Sequence, residues 1–106
     1  MIDAGRLNAR LTLQAPVETP DGQGGVVRDY VTQGKVWAAL LPAAARREVS
    51  ADADGATVQV RIILRSGLDL TLQHRFVDGD RIYRITAMRD IDDFRFVEID
   101  ADYRVE

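Results

Sequence analysis

Residues 6–14 alternate without interruption. Leu7, Ala9, Leu11 and Leu13 fall on one side, and Asn8, Arg10, Thr12 and Gln14 on the other. A period of two is that of a strand buried on one face. Residues 15–25 then gather Pro16, Pro20, Asp21, Gly22, Gly24 and Gly25, a density of breakers that predicts a mobile, hairpin-like loop. Residues 26–31 and 35–41 read as two strands separated by Thr32-Gln33-Gly34. Pro42 ends the second because it has no N–H to give a ladder, and Trp37 is expected in the core.

Residues 43–53 are rich in alanine and charge, with Arg46, Arg47 and Glu48 offered to solvent, and predict one short helix ended by Asp52-Ala53-Asp54-Gly55. Alternation resumes over residues 57–65, where Val58, Val60, Ile62 and Leu64 oppose Gln59, Arg61, Ile63 and Arg65. Ile63 on the polar side predicts a second, partly covered face. Residues 72–77 and 81–88 flank Asp78-Gly79-Asp80, a β-hairpin signal. An acidic turn, Asp90-Ile91-Asp92-Asp93, leads to a last strand over residues 94–103 with Val97, Ile99, Ala101 and Tyr103 on one face. The pattern predicts a mainly β fold: a small antiparallel barrel or sandwich of about six strands, with one short helical insert and long loops.

Composition narrows the function. The 106 residues, 46% hydrophobic and 29% charged, fit a single domain spanning 1–106. The apolar runs are far shorter than a membrane span needs. Asp3 and the lack of an apolar stretch in residues 1–10 argue against a secretory signal. Cysteine is absent, which removes thiol nucleophiles, thiolate metal sites and disulfides together. The net charge of −3 is opposite in sign to the footprint of a phosphate-binding protein. Of the fourteen basic residues only Lys35 is lysine; arginine suits bidentate ion pairs and interfaces, although biased base composition explains the excess equally well.

Candidate chemistry is sparse. His74 is the one histidine and Ser50 and Ser66 are the two serines, and neither serine sits in a nucleophile motif. His74 reads as a polar-face residue beside Arg75. Asp-X-Asp pairs recur at Asp52/Asp54, Asp78/Asp80, Asp90/Asp92 and Asp100/Asp102. The first three lie in predicted turns, where Asp caps local amides, and none extends to a calcium loop. The last pair is expected on the outward side of a strand. Gly22-Gln23-Gly24-Gly25 matches no phosphate-binding pattern. Phe94, Phe96 and Tyr103 are expected in core or interface rather than as a base-stacking platform. No catalytic, cofactor or metal site is therefore assigned.

Taken in order, the residues resemble a family. Gly5-Arg6-Leu7-Asn8-Ala9-Arg10-Leu11-Thr12-Leu13-Gln14, followed by Pro16-Val17-Glu18-Thr19 and Asp21-Gly22-Gln23-Gly24-Gly25, looks like the opening of the head–tail joining proteins of tailed phages. Val36-Trp37-Ala38 with Leu41-Pro42, Arg47-Glu48, Val60-Arg61-Ile62 with Arg65, and Arg81-Ile82-Tyr83-Arg84-Ile85 match its middle and later segments. Asp52-Ala53-Asp54-Gly55 departs from relatives that carry a Gln- and Ala-rich helix there, which puts the helix length in doubt. The resemblance implies a β-barrel subunit of the connector in a phage, prophage or gene transfer agent particle. It would form a homo-oligomeric ring below the portal and adaptor proteins and above the tail terminator or tail tube. That head closure, or stopper, ring helps retain packaged DNA, which passes without sequence-specific binding, and docks the tail. The resemblance also implies a segment projecting toward the channel, here residues 43–56 with Arg46, Arg47, Glu48, Asp52, Asp54 and Gly55. The loop with Pro20, Asp21, Gly22, Gly24 and Gly25 is expected to order between subunits. Two further readings stand beside this one: a small β-barrel nucleic-acid module, resting on topology, and a hydrolase, resting on His74. A neighbouring tail-completion component is a variant of the first.

Overall fold

Among the described residues every strand pairs antiparallel with its neighbours, and the pairing returns to where it began. The computed structural model describes residues 4–42, 49–52 and 55–105. A single 3-10 turn, Ala4–Arg6, precedes seven strands: β1 (Ala9–Pro20), β2 (Val26–Pro42), β3 (Val49–Asp52), β4 (Gly55–Arg65), β5 (Arg75–Asp78), β6 (Arg81–Ile91) and β7 (Phe96–Val105). Hydrogen-bonded neighbours run β2-β1-β5-β6-β7-β4, and β2 then pairs β4. Six strands thus close into a barrel-like ring, which removes open edges within the ring itself and leaves them on the arm and on β3. β3 sits on the stretch of β4 that β2 does not reach.

The alternation along β1, β4 and β7 determines the interior. Leu11, Ile62, Phe76 and Ile99 are fully shielded from water, and Leu64 and Tyr83 nearly so. Each such side chain contributes about 1.5–3 kcal/mol of transfer free energy. Tyr83 and Tyr103 meet edge to face with centroids 5.4 Å apart. Arg81 closes this end of the core by donating to the Tyr83 hydroxyl at 3.4 Å and lying 4.2 Å from the Tyr103 ring centre. The bond to Tyr83 raises the Arg81 pKa further.

The second face predicted at Ile63 is present. Ile63 is only 3% exposed and packs outside the barrel wall with Ala39 and Phe96 under Leu7. Leu7 does not share the face of Leu11 and Leu13, because β1 begins only at Ala9; the preceding residues turn and carry Leu7 onto the outer surface.

Four expectations are corrected. Residues 15–20 are strand, not loop, and the loop is confined to residues 21–25. Residues 26–42 form one strand: Thr32-Gln33-Gly34 is a bulge, where the register slips and Gly34 adopts φ 143°. Residues 49–52 are strand rather than helix, since the free edge of β4 outweighs the weak helical preference of a short alanine-rich stretch. The remainder of the expected helix, including Arg46, Arg47 and Glu48, lies outside the described residues, as does Asp54. Strand β5 starts at Arg75, and Thr71–His74 is a hydrogen-bonded turn.

Candidate assembly surfaces

Strand β1 touches β5 only through Thr12, Leu13 and Gln14. Beyond that point the β1–β2 ladder continues alone, from Ala15↔Val31 to Pro20↔Val26, as a two-stranded arm. Six residues at about 3.3 Å each carry it roughly 20 Å from the barrel wall. Prolines are tolerated here because β1 has no neighbour on its other edge. Pro16 and Pro20 are an even number of residues apart, so both nitrogens face that open edge.

At the tip, Asp21 accepts from the amides of Gln23 at 2.7 Å and Gly25 at 3.1 Å, while its own amide donates to the Gly25 carbonyl. Gly22 and Gly24 take φ 82° and 86°, values that a side chain would strain. The residues expected to form an inter-subunit loop are therefore brought together as a tight, Asp-capped turn.

Cross-strand partners share a face. On one face of the arm lie Tyr30, with Pro16, and the Glu18–Arg28 ion pair at 2.6 Å. This face is braced against the barrel: Arg75 Nε donates to Gln14 Oε1 at 2.7 Å, and its guanidinium lies 3.8 Å from the Tyr30 ring centre. On the opposite face, continuous with the core face of Leu11 and Leu13, lie Ala15, Val17, Val27 and Val31. Val17 is 44% and Val27 50% exposed.

Trp37 is not a core anchor. It stands on the outer wall, 53% exposed, with the Arg10 guanidinium 5.1 Å from its ring centre. The alternation already contained this: Val36, Ala38 and Leu40 take the inward positions, leaving 37 outside. Trp37 lines a shallow depression with Arg65 and Leu68.

The other outer surface is ionic. Arg89 donates to Glu98 at 2.7 Å and to Asp100 at 2.9 Å, and Arg61 approaches the same two carboxylates at 3.6 and 3.7 Å. The hydrogen bonds to Asp100 and Glu98 hold the Arg89 pKa above its ordinary value. Asp100 therefore serves as a cross-strand partner on the outward side, as its position predicted. Asp78 ends β5 before a two-residue turn with positive φ at Gly79 alone, the type II′ pattern. Asp92, Asp93 and Phe94 form a left-handed run with φ 51°, 60° and 65°. Phe94, expected in core or interface, is 72% exposed there, while Phe96 and Tyr103 are buried.

His74 is buried rather than on a polar face. Its Nδ1 accepts from the Thr71 amide at 3.1 Å and lies 3.0 Å from the Thr71 hydroxyl, so it locks the turn before β5. Among the described residues no cluster of three His, Asp or Glu is placed to hold a metal ion. Nor is any helix long and apolar enough to cross a membrane.

The sequence profile of one family, phage head completion protein, matches residues 2–104. The chain belongs to that family. Membership places it among the structural proteins of phage-type particles. No curated protein matches at a significant level. Among solved structures, a chain from the virion of a native gene transfer agent particle is 28% identical, with a TM-score of 0.77 over 92% of this chain and 94% of that one. Protein SF1141 from Shigella flexneri 2a is 22% identical with a TM-score of 0.69 over 96% of both chains, and shares the fold. The mainly β reading and the family resemblance both hold for this head completion chain.

Proposed function

We propose that residues 1–106 act as one head–tail connector unit, the head closure or stopper subunit. It forms a ring below the portal and adaptor, helps retain packaged DNA, and presents a docking surface to the tail terminator or tail tube, with no catalytic step. The observation that carries this reading is the family match over residues 2–104, supported by the likeness to a gene transfer agent virion chain across 92% of the sequence. The physical design agrees. The barrel interior is filled by side chains, leaving its work to its surfaces and projections. A chain of net charge −3 offers little adhesion to DNA sliding past. Particles made without the chain should package DNA, retain it poorly and lack tails; tailed, infectious or DNA-transferring particles would refute the reading.

Residues 43–56 belong to the same proposal as the channel-facing segment. Pro42 pairs Val60 and Val49 pairs Val58, so β2 ends and β3 begins two residues apart along the edge of β4. Deleting Val49 to Gly55 should give heads that form but lose DNA before tails attach; heads that keep their DNA would overturn this assignment.

A further inference from the structure

The β1–β2 ribbon leaves two apolar surfaces uncovered, and they face opposite ways. The first is the valine face of the arm, where Val17, Val27 and Val31 extend the core face of β1 and β2 beyond the barrel. Among the described residues this face stays exposed, and the brace formed by Arg75 grips the other face. The second is the outer surface at Trp37, with Leu68 beside it. We propose that the valine face of one arm seats on the Trp37 surface of a second copy of this chain, and so joins copies head to tail. The inference rests on the ring reading and names the contact that builds the ring.

Three observations select a second copy as the occupant. The charges are complementary: Asp29 is the one charged residue on the valine face, opposite Val17, while Trp37 is flanked by Arg10 and Arg65. Charge matching of this kind fixes register and rejects wrong partners. The geometry suits a heterologous contact: a donor surface and a separate acceptor surface on opposite faces of one ribbon can repeat from copy to copy until the arrangement closes. The arm is also preorganised. The Arg75–Tyr30 stack and the Gln14 bond hold its direction, which reduces the ordering cost of docking. Each copy then gives one arm and receives one, burying the valines and the indole that the isolated chain exposes.

The absence of cysteine makes the test direct. Particles are assembled with a mixture of Val27→Cys and Leu68→Cys chains and treated with a short bismaleimide, and the linked peptides are identified by mass spectrometry. Arm-to-Trp37-surface links should exceed Val27-to-Val27 links by about tenfold. Val27→Asp, which retains the barrel by circular dichroism, should enter particles at about a tenth of the normal level, whereas Glu18→Ala on the opposite face should enter normally. Particles with the chain in a neck ring by electron microscopy, but with no such links or mainly arm-to-arm links, would overturn the inference and leave the ring intact. Val27→Asp incorporated at the normal level would do the same. A neck without a ring of this chain would instead remove the function proposed above, and this contact with it.

Discussion

Phe94 is the last of three consecutive left-handed residues, at φ 65°, and its ring lies mostly in water. A left-handed side-chain-bearing residue costs about 1–2 kcal/mol, and an exposed ring returns little of that by burial. Phe94→Gly should therefore stabilise the isolated chain by about 0.5–1 kcal/mol, a rise in Tm of a few degrees in calorimetry. A fall in Tm would show that the ring packs. His74 illustrates the opposite balance. Its Nδ1 satisfies the Thr71 amide, so His74→Ala leaves a donor unpaired and should cost about 1–3 kcal/mol in urea unfolding. On the proposed structural role, particle yield at a permissive temperature should be unchanged, since the imidazole holds a turn. Neither role was legible in sequence. His74 lies beside Arg75 where a polar strand face was expected, and a left-handed Phe carries no signal in residue type.

Among the elements, the arm and its brace form one unit. Arg75 reaches the arm from β5, a strand sixty-one residues after Gln14 in the chain, and its stack on Tyr30 is the sole side-chain tie between barrel and arm among the bonds described. Arg75→Ala should raise amide exchange at Asp29 to Val31 about tenfold while leaving Ile62 and Ile99 protected, since those amides lie in the far wall. Equal exchange in both forms would show that the ladder alone directs the arm. The alternation of residues 6–14 and 57–65 was readable because one face is buried and the other wet. The arm differs from the loop its sequence predicts for a related reason. A two-stranded ribbon outside the barrel buries neither face, so its residues follow no core pattern, and its prolines and glycines look like breakers although they sit at an open edge and a tight turn. Trp37 was legible in principle from the inward places of its neighbours, but its size suggested burial.

For the whole molecule, closure is what the sequence could not show. Alternation reveals which strands have an inner face, and turn residues reveal which strands are hairpins. Neither says that Leu40 meets Ile62 or that Leu13 meets Phe76. The family match supplies the particle, not the contacts. Phe76 is fully buried where β5 joins the ring. Phe76→Ala should cost about 3–5 kcal/mol, a large share of the roughly 5–15 kcal/mol available to a domain of this size. A loss of under about 1 kcal/mol would mean that the neighbouring side chains collapse into the space.

The seam between β1 and β5 is three residue pairs long, against ten between β4 and β7, and it joins Gln14 to Arg75 across most of the chain. With only three residue pairs to hold it, this seam should be the first part of the wall to open. The wall therefore has a zip, and the side chains that fasten its end, Gln14 and Arg75, are the same ones that aim the arm. When the zip parts, the arm loses its bearing. If a neighbour holds the arm as proposed, it would also keep the zip shut, and a subunit in the proposed ring should breathe less than the same subunit alone.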